Sequence, residues 1–402
     1  MAAPGTRQAA DAPTREELLG RAWDLLPALR ERAPRAEALR RMPDETLRDF
    51  HETGLFRMIQ PARVGGSELE LGFLVEIGSV IGRACASSAW SLINLGCHHW
   101  MLAMFPPKAQ EELWNISLDV LIASSLIFPA GKAKRVKGGY ELSGRWPFSS
   151  GVDNSTWNML AGMVVDESGG TAPEARLFLV PDSDYRIVDT WRAAGLSATG
   201  SHDVEAEGVF VPEHRTLAGL DMLGQPTPGS EVNPGPLYRL PLFAIAPYVI
   251  SGVPLGIALG AWETHVETLR SRVSHYTGAK VSDFQAVQIK LAEARSLCDA
   301  AEKIMLANCA DAMRRARAGE VPDLETKTRY RGDGAFSVKM CVDAMNIVFG
   351  LAGGGGLYDR NPLQRAFRDI HAAKGHALFN LDAAGAMYGR AALGLPLESP
   401  LL

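Results

Sequence analysis

Gly144-Arg145-Trp146-Pro147-Phe148-Ser149-Ser150-Gly151 lies in the middle of a chain whose flanks read as helix. Around it, Ala133–Val136, Tyr140–Ser143, Trp157–Val165, Arg176–Val180, Arg186–Thr190 and Gly208–Val211 are short segments that alternate or carry β-formers. Gly138-Gly139, Gly169-Gly170 and Pro181-Asp182 punctuate them as turns, so several short strands in about a hundred residues predict a small β-barrel or sandwich. Within the octet, two hydroxyls beside a glycine and flanked by aromatics suit a loop that stacks on and hydrogen-bonds a flat ligand. A Ser-Ser-Gly turn is also common in loops that bind nothing.

Outward on the N-terminal side the period becomes helical. Thr14 followed by Glu16 and Glu17 reads as an N-cap, and Leu18, Ala22, Leu25, Leu26 and Leu29 keep helical spacing. Pro43-Asp44-Glu45 opens a second helix that ends near Gly54. Apolar segments follow at Phe73–Ile81 and Ser88–Phe105, and Pro106-Pro107 stops the last of them. Beyond the β region, Gly224–Pro236 holds four prolines and three glycines and reads as a connecting loop. Long helices are predicted at Ala258–Val273, Gln285–Arg317, Glu325–Ala352 and Leu363–Leu393, forming a bundle able to supply an oligomer interface. The expectation is α+β: an N-terminal helical domain (14–118), a central β domain (119–225) and a C-terminal four-helix bundle (237–395), with 1–13 disordered.

The 402 residues are 47% hydrophobic and 22% charged, an ordinary globular mixture. A net charge of -5 gives no electrostatic reason to bind nucleic acid or an anionic membrane. The apolar run Leu240–Trp262 is interrupted by Pro241, Pro247, Gly252, Pro254 and Gly256, which reads as a buried element. Five cysteines without a CxxC pair, and no signal-peptide layout at the N-terminus, fit a reduced cytoplasmic compartment.

Nine histidines are few, so their grouping matters. Trp90 and His98 would lie roughly 80° apart on one helix. Adjacent His98 and His99 cannot face one metal from a helix, and no metal is expected. His371 and His376 on the last helix would point differently, and helical histidines are usually structural. Gly353-Gly354-Gly355-Gly356 lets a backbone approach a phosphate, or is simply an inter-helix turn. No Walker motif or GxSxG elbow occurs, which speaks against a P-loop or a serine hydrolase.

Together these pieces resemble the acyl-CoA dehydrogenase fold over about residues 16–393. Pro61-Ala62-Arg63-Val64-Gly65-Gly66 resembles that family's early loop, and Gly144–Gly151 its flavin-ring loop. Phe210-Val211-Pro212 resembles its exit from the β domain, and Gly353–Gly356 through Pro362 to Arg368-Asp369 its C-terminal ending. The departures carry more information. The dehydrogenases' carboxylate base, about eight residues after the Arg-Asp pair, is replaced by Ala377, and Leu240–Trp262 contains no Asp or Glu; the acid near it is Glu263. Ile127-Phe128-Pro129 replaces the usual Thr-Glu-Pro.

His98-His99-Trp100, the Phe148–Gly151 loop, Thr199-Gly200-Ser201-His202-Asp203 and His376 are similar instead to the flavin-dependent monooxygenase branch. That branch includes the oxygenase components of p-hydroxyphenylacetate hydroxylase and steroid phenol hydroxylase, and dibenzothiophene monooxygenase. The resemblance implies reduced FMN or FAD delivered by a separate NAD(P)H-flavin reductase, O2 as co-substrate, and hydroxylation of a phenolic ring through a flavin C4a-hydroperoxide. It places Ser150 at flavin N5, with Ser149 as fallback, and an apolar wall at Trp90, Phe128, Trp146 and Phe148. His98 would accept the phenol proton with Ser125 as a second hydrogen bond, and His376 would sit near flavin C4a. Arg272, Gly353, Gly354 and Gly356 would hold the flavin phosphate, in this subunit or a neighbour, and Arg368-Asp369 would be a structural ion pair. Ser274 stands where the family's usual Arg contacts adenine, which leaves FMN and FAD both open. A homotetramer is implied. Oxygenation of nitrogen or sulfur on the same fold is the alternative, and acyl-CoA dehydrogenation a further one.

Overall fold

The computed structural model describes residues 12–165, 173–397 and 401–402. Most of the segment predicted to be disordered, and the Gly169-Gly170 turn, lie outside the described residues. The first helix, α1 (Arg15–Leu39), opens with a reciprocal cap: Glu17 N–H donates to Thr14 Oγ1 at 3.2 Å and Thr14 N–H to Glu17 Oε2 at 2.8 Å. α2 (Asp44–Thr53) stops at Gly54, whose φ of 79° suits glycine. α3 (Gly72–Gly82) and α4 (Ala86–Leu102) follow. The proline pair after α4 also starts α5 (Pro107–Ile116), because Pro107 at the first helical position loses no hydrogen bond.

Eight strands follow: β1 (Ile122–Ser125), β2 (Gly131–Val136), β3 (Gly139–Ser149), β4 (Trp157–Val164), β5 (Glu174–Pro181), β6 (Arg186–Val188), β7 (His202–Pro212) and β8 (Thr216–Ala218). They form one sheet in the order β6-β7-β3-β2-β4-β5-β8, with β1 parallel to β4. The sheet curls around a core of its own that includes Tyr140, Leu142, Trp146, Phe178 and Val204. No ladder joins β6 to β8 among the described residues. β1 and β8 were not anticipated.

The C-terminal helices are α6 (Leu242–Ile250), α7 (Gly252–Ser271), α8 (Gln285–Arg317), α9 (Leu324–Ala352), α10 (Pro362–Lys374) and α11 (Leu381–Ala392). The helix expected over 363–393 is therefore two. Its backbone leaves the helix after Gly375, His376 is extended (φ −67°, ψ 138°), and a single turn at Ala377–Phe379 leads to Asn380, which caps α11. One hydrophobic cluster runs through α1, α3, α4, the C-terminal helices and one face of the sheet, so both helical segments share a core.

α3 and α7 meet through glycines. A Cβ on Gly256 would stand 2.4 Å from the Ser79 carbonyl oxygen, and one on Gly252 would stand 2.2 Å from that of Val75. Two stretches, Leu242–Ser271 and Leu324–Leu357, are long and apolar enough to cross a membrane by length and composition alone; 94% of the first one's most apolar window is buried in the protein.

Candidate active site

Helix α4 carries the first two functional side chains toward the sheet. His98 is 2% exposed, and its Nδ1 lies 2.6 Å from the Ile122 carbonyl at the start of β1. A carbonyl only accepts, so Nδ1 bears the proton and Nε2 of the neutral ring is left as an acceptor. Burial lowers the imidazole to about 4, keeping it neutral at physiological pH. His99 faces elsewhere: its Nδ1 accepts from Trp114 Nε1 at 3.1 Å, and burial holds it at about 3.

Two helical turns earlier, Trp90 Nε1 donates to Ser150 Oγ at 3.2 Å. Ser150 Oγ is also 2.7 Å from Ser201 Oγ, which is 2.6 Å from Thr199 Oγ1. The loop holding Ser150 owes its direction to a bulge between Trp146 and Ser149 in the β3–β7 ladder. Phe148 takes φ 64° there, and Gly151 takes φ 75° with its N–H on Thr199 O at 2.8 Å.

His376 reaches the same neighbourhood from the α10–α11 break. Its ring centroid lies 5.6 Å from Trp90 and 5.9 Å from Phe379. Nδ1 accepts from Leu378 N–H at 3.2 Å, so Nε2 carries the proton of the neutral ring. The side chain is solvent-accessible, yet the surrounding protein, with a smaller contribution from Arg331, lowers it to about 4. The two histidines thus present opposite polarity: His98 an acceptor, His376 a donor.

A groove of about 670 Å³ runs past the start of α4 at Cys85–Ala86, and Arg272, Gly354, Gly355, Arg365 and His265 line it. Arg272 Nη1 donates to Leu351 O at 3.0 Å, and Nη2 would stand 3.4 Å from a Cβ on Gly353. Gly353 has φ 61°, and a Cβ on Gly354 or Gly355 would meet nothing within 4 Å, so this backbone is open to a close ligand. Gly356 plays another part: it is buried, and a Cβ there would strike Ala352 at 2.9 Å. His265 is 5% exposed and its Nε2 has no partner among the described residues. Open glycine backbone and a guanidinium fit the phosphate end of a flavin nucleotide.

Other expectations are corrected by the geometry. Trp146 is fully buried in the sheet's own core with Nε1 on Ala161 O at 2.6 Å, so it walls no ligand pocket. Phe148 is 60% exposed and edge-on to Trp191, so within this chain it does not keep water out. Ser149 is fully buried with its oxygen on Asn158 Nδ2 at 2.9 Å, which leaves Ser150 as the accessible hydroxyl. Ser125 is buried and donates to Pro147 O at 2.7 Å, so it can meet a substrate only as an acceptor. Phe128 packs edge-on to Phe243 at 5.7 Å.

Arg368 and Asp369 do not pair with each other. Arg368 bridges Glu37 at 2.5 Å and Ala194 O at 2.5 Å, while Asp369 Oδ1 accepts from Leu196 N–H at 2.7 Å. Together they clamp the loop that leads to Thr199. Ser201 and Thr199 stood in the sequence only as part of a similar string; their contact with Ser150 depends on strand pairing.

A helix–sheet–helix fold with the Ser150 hydroxyl beside an indole, and a groove lined by glycines and an arginine, is the arrangement that the resemblance to the acyl-CoA dehydrogenase fold implies. The model of the acyl-CoA dehydrogenase C-terminal domain matches residues 248–381. The chain is 38% identical to the flavin-dependent monooxygenase oxygenase subunit HsaA of Rhodococcus jostii (strain RHA1), over 94% of this chain and 98% of that one. It is 34% identical to the oxygenase component of the FADH(2)-dependent resorcinol hydroxylase of Rhizobium sp. (strain MTP-10005), covering 96% and 97%. The solved structure of XiaF from Streptomyces sp. in complex with FADH2 and glycerol superposes with a TM-score of 0.89 at 28% identity, covering 96% and 98%.

The chain belongs to the family of oxygenase components of flavin-dependent monooxygenases. It is an enzyme that uses reduced flavin and O2.

Proposed function

We propose that this chain hydroxylates a phenolic ring, with His98 Nε2 as the group that accepts the phenol's O–H hydrogen bond. The observation that carries the reading is the fixed tautomer of His98, a buried neutral imidazole whose Nε2 is held as an acceptor. Drawing the phenol proton toward Nε2 makes the ring more electron-rich, which is what an electrophilic oxygen donor needs. Reduced flavin, when bound, would supply that donor from O2, one oxygen atom going to the ring and the other to water.

The chain's own residues do the rest. Ser150 Oγ would accept a hydrogen bond from flavin N5–H, and Trp90 and Phe128 would cover the apolar side. His376, whose Nε2 carries the ring proton, would donate a hydrogen bond on the flavin's reacting side. Arg272, Gly353 and Gly354 would hold the flavin phosphate, from this subunit or a neighbour. Acyl-CoA dehydrogenation has no base here, because Ala377 occupies the base position and Glu263 is tied to Arg83 at 3.1 Å. The resorcinol hydroxylase among the relatives supports an aromatic substrate. A separate flavin reductase, a homotetramer and a cytoplasmic setting complete the proposal; the five buried free cysteines are compatible with the last.

The test supplies reduced flavin to wild type and His98→Ala and measures product from phenols, aromatic amines and sulfur heterocycles. Phenol hydroxylation should fall about 10²–10⁴-fold in the variant, the usual contribution of a positioned base. A variant that keeps wild-type product yield would refute the assignment and favour oxygenation of nitrogen or sulfur.

A further inference from the structure

The hydroxyls behind Ser150 form a wire whose direction is set at its far end. Thr199 Oγ1 lies 2.9 Å from the Leu196 carbonyl oxygen, an approach that two oxygens favour only with a hydrogen between them, so the Thr199 proton points there. Thr199 then has only lone pairs for Ser201, and the 2.6 Å contact requires Ser201 to donate. Ser201 in turn has only lone pairs for Ser150, so the 2.7 Å contact requires Ser150 to donate. Trp90 Nε1, a donor under all conditions, fills one lone pair of Ser150 at 3.2 Å. The chain reads Trp90 N–H to Ser150 to Ser201 to Thr199 to the Leu196 carbonyl. Ser150, 9% exposed, is left with one free lone pair and no free proton.

We propose that this wire makes Ser150 an obligate hydrogen-bond acceptor, and that Ser201 and Thr199 are positioning residues by which the site selects reduced over oxidised flavin. The proposal rests on the reading that Ser150 faces flavin N5. Reduced flavin carries a hydrogen on N5 and matches an acceptor. Oxidised flavin presents a lone pair there and meets another lone pair. An oxygenase component must capture reduced flavin and release the oxidised form after turnover, and a hydroxyl free to rotate would serve both forms alike.

The wire's end is held independently of the proton it fixes. Leu196 O also accepts from Trp191 Nε1 at 3.0 Å and Thr199 N–H at 3.1 Å, and Leu196 N–H is on Asp369. Removing the Thr199 hydroxyl therefore leaves that carbonyl satisfied while freeing the Ser201 proton to turn toward Ser150. Ser150 could then donate to oxidised N5.

The experiment titrates wild type, Thr199→Val, Thr199→Ser, Ser201→Ala and Ser150→Ala with oxidised FAD and, anaerobically, with reduced FAD. Unfolding midpoints serve as the folding control. The ratio of oxidised to reduced dissociation constants should fall about tenfold in Thr199→Val and Ser201→Ala, the worth of one neutral hydrogen bond. Thr199→Ser, which keeps the hydroxyl, should retain the wild-type ratio. The same tenfold lowers the bound flavin's two-electron potential by about 30 mV, read against a reference dye.

A wild-type ratio in Thr199→Val and Ser201→Ala overturns the wire. Ser150→Ala separates the two ideas. If it too leaves the ratio unchanged, Ser150 does not touch N5 and the proposed function loses that contact; if it lowers the ratio while Thr199→Val does not, only the wire falls.

Discussion

Asp369→Asn should stabilise the protein near neutral pH, because the native carboxylate is ionised where little compensates it. Asp369 is 6% exposed, and burial raises its pKa from 3.8 to about 6 against the opposing pull of the Leu196 N–H and Arg365. The shift is about two units, or about 3 kcal/mol at about 1.36 kcal/mol per unit. Between about pH 4 and 6 the folded carboxyl keeps its proton while the unfolded one has lost it, so unfolding free energy falls as pH rises through that window. Below it the contribution is fully favourable, and above it about 3 kcal/mol has been lost.

His98 and His99, both lowered by burial, act in the opposite sense: their neutral forms stabilise the fold above about pH 6.5, and this is lost as pH falls toward 4. That background cancels when variant and wild type are compared at each pH. Asparagine keeps an oxygen for Leu196 N–H, so the variant's advantage should grow from near zero at pH 4 to as much as about 3 kcal/mol at pH 8. Asp369→Ala strands that N–H and should lie about 1–3 kcal/mol below the asparagine variant. Denaturant titrations from pH 4 to 8 check both. An Asn–wild-type difference that is flat across the range would show that the carboxyl titrates normally, and the burial reasoning would be wrong.

With His98 buried and held at about 4, product yield per flavin oxidised should show no His98 limb between pH 5.5 and 9. A pH series on substrate-saturated enzyme measures this, and a step near 6.5 would contradict it. Gly256→Ala should cost about 1–3 kcal/mol despite alanine's better helix propensity, because its Cβ would meet the Ser79 carbonyl oxygen at 2.4 Å across the α3–α7 seam. The unfolding midpoint reports the change.

What could be read from the sequence was mostly what is local. The Thr14 cap and the Gly54 stop follow from capping residues, and α8 from Gln285 to Arg317 from a long stretch with few helix breakers; the structure shows each of them. β1 was hidden because Ile122–Ser125 is short and pairs in parallel with β4, whose partner residues begin at Trp157. The resemblance assigned Trp146 and Phe148 to one wall, and residues two apart on a regular strand would share a face. The bulge before Ser149 breaks that alternation, burying one and exposing the other. The break at Gly375-His376 sits in an alanine-rich helical pattern, so the extended His376 could not be seen, although Asn380 three residues before Ala383 is a cap in hindsight. The Ser150–Ser201–Thr199 contacts depend on the β3–β7 register, in which Ser149 pairs with His202, and no local pattern encodes that.

The most direct test of the central claim is a stopped-flow experiment on the wild-type protein loaded with reduced flavin and mixed with oxygenated buffer. The absorbance of oxidised flavin should return more slowly than for free reduced flavin, and adding a phenolic substrate should yield hydroxylated product in place of peroxide. Return at the rate of free flavin, with one peroxide per flavin and no product from any phenol, would contradict the account.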